Sequence, residues 1–522
     1  MLPNRFLMLL LLLPTADVRL SAEHQPDPRT MSLRFEVTVA KDLLREPRDG
    51  RLLLVLDRKK SPEPRHAIGQ TGLKAPPVLG RDVRAFAPGI VAAIDQTALL
   101  FPLKHLADLP KGEYFVQAVF DMGLDLRLPG APGNLYSEPF AVKLDPERGG
   151  TVKIELTQQI PPEELPGDDV LVKYVKIRSE LLSKFHGRPM YLRAGVILPR
   201  DYEHEAERRY PLRVHIGGYG TRYTAVRWLM DGESEFRKLW LADDTPRMIL
   251  LHLDGAGPYG DPYQVNSDNN GPYGDAVTRE LIPYVEKKLR AVGRPYARVL
   301  DGGSTGGWVS LALQIFYPDF FNGAWSHAPD PVDFRAYELI NIYEDDNAYV
   351  NGHGFERPAC RELNGDVRYT VRHECLLERV LGRGNRWELS GKDWCAWNAV
   401  FGPRGEDGLP RPLWDGVTGR IDREVIEHWK RYDLRLVLQT NWKTLGPKLR
   451  GKLRIWVGEA DDYFLNNAVH LLDEFLREAR PPFEGKITYG MGEGHGWEGL
   501  SEKQMMAEMA AAIARGKPAE QP

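Results

Sequence analysis

The stretch Asp301-Gly302-Gly303-Ser304-Thr305-Gly306-Gly307-Trp308 constrains this chain more than any other. It sets a serine inside G-x-S-x-G. A short apolar run, Val299-Leu300, precedes it, and Trp308, Leu311, Leu313 and Phe316 suggest a helix running on to Pro318. A strand that turns at once into a helix over one serine needs neighbours without a Cβ, because the turn is tight and strained. Such a turn lifts the serine hydroxyl above the sheet. It therefore implies a fold in which strands and helices alternate.

The surrounding pattern agrees. Segments near 171–178 and 190–198 are strand-like, Leu212 to Ile216 is a strand ending in glycines, and Met248 to Leu253 is continuously apolar. Ala276, Leu281, Ile282, Val285 and Leu289 then recur at helical spacing. Gly323 to Ser326, Leu453 to Val457 and Ile487 to Tyr489 read as further strands. Continuous apolar strands between amphipathic helices predict an α/β class with a mostly parallel sheet covered on both faces. Ser501 and Gln504 form a capping box for a last helix that stops near Gly516.

The chain before this region has a different period. Leu33, Phe35, Val37 and Val39 alternate with polar residues, as do Val152, Ile154 and Leu156; Arg51 to Arg58 and Glu113 to Met122 are also strand-like. A period of two with Pro- and Gly-rich turns predicts a small all-β, Ig-like sandwich over 30–157. A linker at 158–170 and a catalytic domain at 171–517 follow. Residues of about 340–445, rich in Trp, Asn, Gly and charge, interrupt the α/β rhythm and are expected to form a cap-like insertion. No internal repeat is apparent.

Arg5 and the apolar run Phe6 to Leu13 read as a signal peptide over 1–22, with Ala16 or Ala22 near the cleavage site. The expected location is secreted or periplasmic. The run is far shorter than the ~20 residues of a spanning helix, and no Cys follows it to carry a lipid anchor. A hydrophobic content of 42% excludes a disordered chain, and a net charge of −4 without a basic block excludes nucleic acid as the expected partner. The three cysteines, Cys360, Cys375 and Cys395, all lie in the insertion. One disulfide with a thiol left over and three reduced buried cysteines are equally compatible with this spacing. No Cys/His spacing suggests a metal site, and no cofactor is expected.

A serine hydroxyl needs a base and a group to orient that base. In strand-elbow-helix hydrolases the acid and then the histidine follow the serine. Here Gly458-Glu459-Ala460-Asp461-Asp462 follows the Leu453–Val457 strand, and Gly492-Glu493-Gly494-His495-Gly496-Trp497 follows the last strand. The expected catalytic set is Ser304, Asp461 and His495, with Asp462 as alternate acid. The ordinary alternative for His495 is a surface loop histidine. An oxyanion requires backbone donors; these are expected from Thr305 and from Gly218 or Tyr219 in the loop after Leu212–Ile216. Trp308, Tyr273 and His327 are expected to contact substrate, with Asp330 and Asp333 as further rim candidates. Asp301, just before the elbow, reads as structural.

These motifs resemble those of the esterase D-like, or putative esterase, family of α/β-hydrolases, which includes S-formylglutathione hydrolases, feruloyl esterase domains, enterochelin esterases and mycolyltransferases. The likeness lies in Gly302 to Trp308, Glu280-Leu281-Ile282-Pro283, Gly458-Glu459-Ala460-Asp461 and Gly494-His495-Gly496-Trp497, within roughly residues 170–515. The resemblance implies an α/β-hydrolase fold and a cofactor-free, metal-independent hydrolase, with the Ser, Asp and His roles on Ser304, Asp461 and His495. Enterochelin esterases also carry an N-terminal β domain. Departures are the long insertion and the absence of a Cys near the elbow.

The leading expectation is a secreted serine esterase acting on a small-molecule or carbohydrate-linked ester through an acyl-serine. The rivals are an acyltransferase with the same triad, a serine peptidase, and a non-catalytic binding protein on a hydrolase fold.

Overall fold

The computed structural model describes residues 32–519. The expected signal peptide lies outside them. Among the described residues no helix is long and apolar enough to cross a membrane.

Residues 33–159 form two sheets. Leu33–Val39 pairs antiparallel with Ala92–Ile94 and parallel with Gly150–Leu156. The larger sheet is built on Arg48–Asp57, which lies between Val78–Phe86 and Gly112–Asp121. Leu33, Phe35, Val37 and Val39 turn inward against Leu52, Leu54 and Phe120, as their period of two requires. Leu53 and Val55 point the other way and are buried as well. They pack against Leu377, Val380 and Leu381 of the insertion. The buried Arg51 guanidinium reinforces this contact, donating to the Val380 carbonyl at 3.0 and 2.8 Å and to Asn385 Oδ1 at 2.9 Å. The sheet extends to Gln158–Gln159, which pairs with Leu135–Tyr136, so its last strand lies within the stretch expected to be linker.

The rest of the chain is built on an eight-stranded sheet: β1 Val172–Ser179, β2 Met190–Ile197, β3 Leu212–Ile216, β4 Ile249–Leu253, β5 Arg298–Gly303, β6 Ala324–His327, β7 Leu453–Gly458 and β8 Lys486–Gly490. Their order is β1-β2-β4-β3-β5-β6-β7-β8. β2 runs antiparallel to both β1 and β4, and the sheet from β4 to β8 is parallel. This is the α/β-hydrolase architecture, mostly parallel as the apolar strands imply. A helix over 273–288, with a π turn at Val277–Leu281, packs into the same core.

After β5 comes α1 Thr305–Phe316, buried from Thr305 to Ile315. Residues 328–452 separate β6 from β7. They hold a hairpin (Pro358–Arg361 with Val367–Thr370), α2 Val371–Leu381, α3 Asp393–Phe401 and α4 Leu434–Lys448. The core here is aromatic: Trp387 stacks on Trp414 at 4.7 Å, and Trp394 meets Trp397 edge-on at 5.1 Å. α4 packs against α1 and against α5 Asn466–Glu478. It is thus the covering helix of the sheet, and the expected insertion limit of about 445 cuts through it. Only Leu434, Arg435, Leu438, Trp442 and Gly446 of α4 are buried, too thin a stripe to stand out from the polar sequence before it. α6 Glu502–Gly516 closes the chain, capped by Ser501 and Gln504.

Cys360, Cys375 and Cys395 are free and buried, so the reduced alternative is the one found. Burial pushes all three thiols above their ordinary range.

Candidate functional site

β5 and α1 meet at Ser304, whose backbone sits at φ 56, ψ −122. A non-glycine residue is strained there, and the packing around it forces the conformation. A Cβ on Gly306 would overlap the Ile216 carbonyl of β3, and one on Gly302 would come within 2.5 Å of the same oxygen. Ser304 N–H donates to the His327 carbonyl of β6 at 2.9 Å, and Trp308 N–H donates to the Ser304 carbonyl at 3.1 Å. Beneath the elbow, Asp301 accepts from Arg213 and His215 at 2.8 Å. Burial alone would raise Asp301, but Arg213 and His215 hold it well below the carboxylate range. Its role is structural, as its position before the elbow implies.

The loop after β7 carries Asp461, fully buried. Its Oδ1 accepts from Tyr463 N–H at 2.9 Å and Leu465 N–H at 3.2 Å, and its Oδ2 lies 2.8 Å from His495 Nδ1. Asp462 contacts the same histidine differently, accepting its backbone N–H at 3.1 Å. The two adjacent acids therefore divide the work: Asp461 faces the ring and Asp462 anchors the loop. Arg361 of the hairpin buttresses both, donating to the carbonyls of Asp461 at 3.0 Å and Asp462 at 2.9 Å. Burial would lower the imidazole, but the hydrogen bond and charge of Asp461 outweigh it, and His495 is raised above its ordinary value.

Ser304 and His495 line one cavity of about 280 Å³. The serine hydroxyl makes its hydrogen bond to Asp330 Oδ1, at 3.5 Å, rather than to the imidazole. Asp330 is itself held at Oδ2 by Tyr263 O–H at 2.5 Å, Thr305 Oγ1 at 3.0 Å and Trp397 Nε1 at 3.2 Å. Burial pushes Asp330 upward, against the pull of these donors.

Gly218 and Tyr219 follow β3. A Cβ on Gly218 would lie 4.0 Å from Ser304 Cβ, and the Tyr219 side chain lines the cavity. Thr305 is the first residue of α1, so its N–H has no carbonyl a turn earlier to bond.

The three expected substrate contacts are placed elsewhere. Trp308 is fully buried between Tyr263 and Phe401, because the helix turns it inward. Tyr273 is buried in the sheet's core at the start of its helix. His327 stacks on Trp456 at 5.2 Å, with Nδ1 2.5 Å from the Glu498 carbonyl; it ties the segment after His495 to β6, the strand beside the elbow, and does not line the cavity. Asp333, the other rim candidate, pairs with Arg335 and Arg435. Lining residues that single-residue reading missed are Glu338, Tyr369, Glu374, Trp394, Trp397 and Tyr463, with Gly69 and Thr71 from the sandwich. They come from segments far apart in the chain and share no motif. Among the described residues no group of His, Cys, Asp and Glu is arranged to hold a metal ion.

The family model described as "Putative esterase" matches residues 191–504, which span the elbow, Asp461 and His495. The chain belongs to that family. It is therefore an enzyme, a carboxylic ester hydrolase. No curated protein matches this esterase. Among solved structures, a ferulic acid esterase is similar at 15% identity over 66% of this chain and 100% of that one, with a TM-score of 0.39. An S-formylglutathione hydrolase from Agrobacterium tumefaciens is similar at 14% identity, covering 66% and 95%, with a TM-score of 0.36. Porphyromonas gingivalis dipeptidyl peptidase 4 is similar at 11% identity, covering 85% and 48%, with a TM-score of 0.35. The assignment rests on the family match.

Proposed function

We propose that this esterase cleaves its ester through an acyl-Ser304 intermediate, with His495 as base and Asp461 as its orienting acid. The observation that carries this reading is the 2.8 Å contact of His495 Nδ1 with buried Asp461, at a cavity shared with the elbow serine. The hydrogen bond fixes the proton on Nδ1 and leaves Nε2 free to accept. For the reaction the Ser304 hydroxyl has to leave Asp330 and bond Nε2. The hydroxyl proton then passes to His495 as Oγ attacks the ester carbonyl.

The tetrahedral oxyanion is received by the Thr305 N–H and by that of Gly218 or Tyr219. His495 protonates the departing alkoxide, leaving the acyl group on Ser304. Water, deprotonated by His495, attacks the acyl carbonyl, and the acid leaves as Ser304 recovers its proton. The insertion acts as a cap, because Trp394 and Trp397 bring apolar surface to the cavity and limit water there. Residues 1–22 direct export as a signal peptide.

The test is hydrolysis of 4-nitrophenyl acetate by the wild type and Ser304→Ala, with and without an added alcohol. Release of acetate by the wild type alone supports the reading. Equal turnover by the variant overturns it, and acetyl transfer to the alcohol in place of hydrolysis makes the enzyme a transferase.

A further inference from the structure

The cavity that holds Ser304 is acidic. Besides Asp330, it is lined by Glu338, Glu374 and Asp393, against Lys392 and His495 as its lining bases. Lys392 offsets part of this charge from within the lining, with its Nζ 5.7 Å from the Tyr219 ring and 3.8 Å from Asp393. Glu374 has a donor, the Trp394 indole N–H at 2.8 Å. Glu338 is 4% exposed, and its buried Oε2 meets no hydrogen-bond partner among the described residues. Its backbone lies at φ 53 in a turn closed by reciprocal hydrogen bonds between Tyr337 and Ile340. A buried carboxylate oxygen without a donor is costly, and a bound group that donates to it would remove that cost.

We propose that Glu338, with Glu374 and Asp393, forms a subsite for a primary ammonium group, so that the ester cleaved at Ser304 carries a cationic amine on the part that enters this cavity. The inference rests on Ser304 being the nucleophile of an esterase. An ammonium supplies three N–H donors and a positive charge, which answer both the missing donor and the crowding of carboxyl groups. A neutral hydroxyl would answer only the first. Trp394, Trp397 and Tyr463 bring aromatic rings to the same cavity, and ring faces attract a cation. Burial together with Glu374, Asp330 and Asp393 keeps Glu338 well above the usual carboxylate range, and burial together with Asp393 raises Glu374. An arriving ammonium favours the ionised carboxylates, so its binding releases protons and tightens as pH rises.

The experiment is isothermal titration calorimetry of the full chain with n-butylammonium and with 1-butanol, in wild type, Glu338→Gln and Glu374→Gln, each variant's fold checked by its melting transition. Hydrolysis of 4-nitrophenyl acetate is followed in parallel. The wild type is expected to bind the ammonium at least about tenfold more tightly than the alcohol, with the preference falling below about threefold in Glu338→Gln. Equal binding of the two ligands by the wild type, or no binding of the ammonium, overturns the proposal even if neither variant folds. Loss of the preference in neither variant overturns it too. If 4-nitrophenyl acetate is cleaved through Ser304 while the ammonium does not bind, the subsite falls and the esterase reading stands. If the ammonium binds while no ester is cleaved, the reverse holds.

Discussion

Two walls meet at the cavity, and they are built on opposite principles. On the elbow wall every charged group has its partner: Asp301 with Arg213, and Asp461 with His495 and two backbone N–H groups. On the insertion wall, carboxyl groups crowd one another and the Glu338 Oε2 lacks a donor among the described residues. The difference teaches that the first wall is complete by itself, as reaction machinery must be if it is to be pre-organised. The second is completed only by something that binds.

The largest effect separating the walls is expected from the acid. Asp461→Asn should lower kcat by about 10⁴-fold, as replacement of a triad aspartate does elsewhere, while Asp462→Asn should cost far less. Steady-state kinetics on 4-nitrophenyl acetate would check this, and the reverse ranking would move the orienting role to Asp462. The next effect concerns packing. Gly306→Ala forces a methyl into the Ile216 carbonyl, whereas a Cβ on Gly303 would meet nothing closer than His327 at 3.9 Å. Gly306→Ala should therefore destabilise by roughly 3 kcal/mol or more, and Gly303→Ala by less than about 1 kcal/mol. Similar melting temperatures for the two would show that the elbow is looser than its contacts suggest.

A third, smaller effect is in the pH profile. His495 must be neutral to act as base, so kcat/KM falls as pH drops through its pKa. Because Asp461 raises that pKa, the acidic limb should lie above the ordinary histidine value of about 6.5. Residual activity of Asp461→Asn should show the limb moved to lower pH. An unmoved limb would assign it to another group.

The smallest effect lies on the insertion wall. Glu338 has a raised pKa in the folded state, so its contribution favours the native state at low pH and is lost as pH rises above 4.5 toward the folded value. Glu338→Gln should make the melting temperature less dependent on pH across that range. An unchanged slope would mean that Glu338 ionises freely.

The same contrast explains what the sequence made legible. Ser304 and His495 adjoin glycines, and Asp461 lies just past the end of β7, positions where backbone geometry demands particular residues, so short motifs mark them. The parallel sheet was readable because doubly covered strands are continuously apolar. Trp308 misled because helical periodicity places a residue on a face without saying what covers that face; here Tyr263 and Phe401 do. Glu338, Glu374 and Trp397 left no signal, because they are brought together by tertiary packing of segments with no shared period. The docking of the sandwich through Arg51 is equally silent, since a strand arginine reads as a solvent-facing residue until α2 covers it.

The central claim, that the elbow wall is reaction machinery with Ser304 as nucleophile, is tested most directly by labelling with a fluorophosphonate and mapping the adduct by peptide mass spectrometry. The account predicts one adduct, on the peptide containing Ser304, and none in Ser304→Ala. An adduct on another residue, or labelling that persists in the variant, would contradict it.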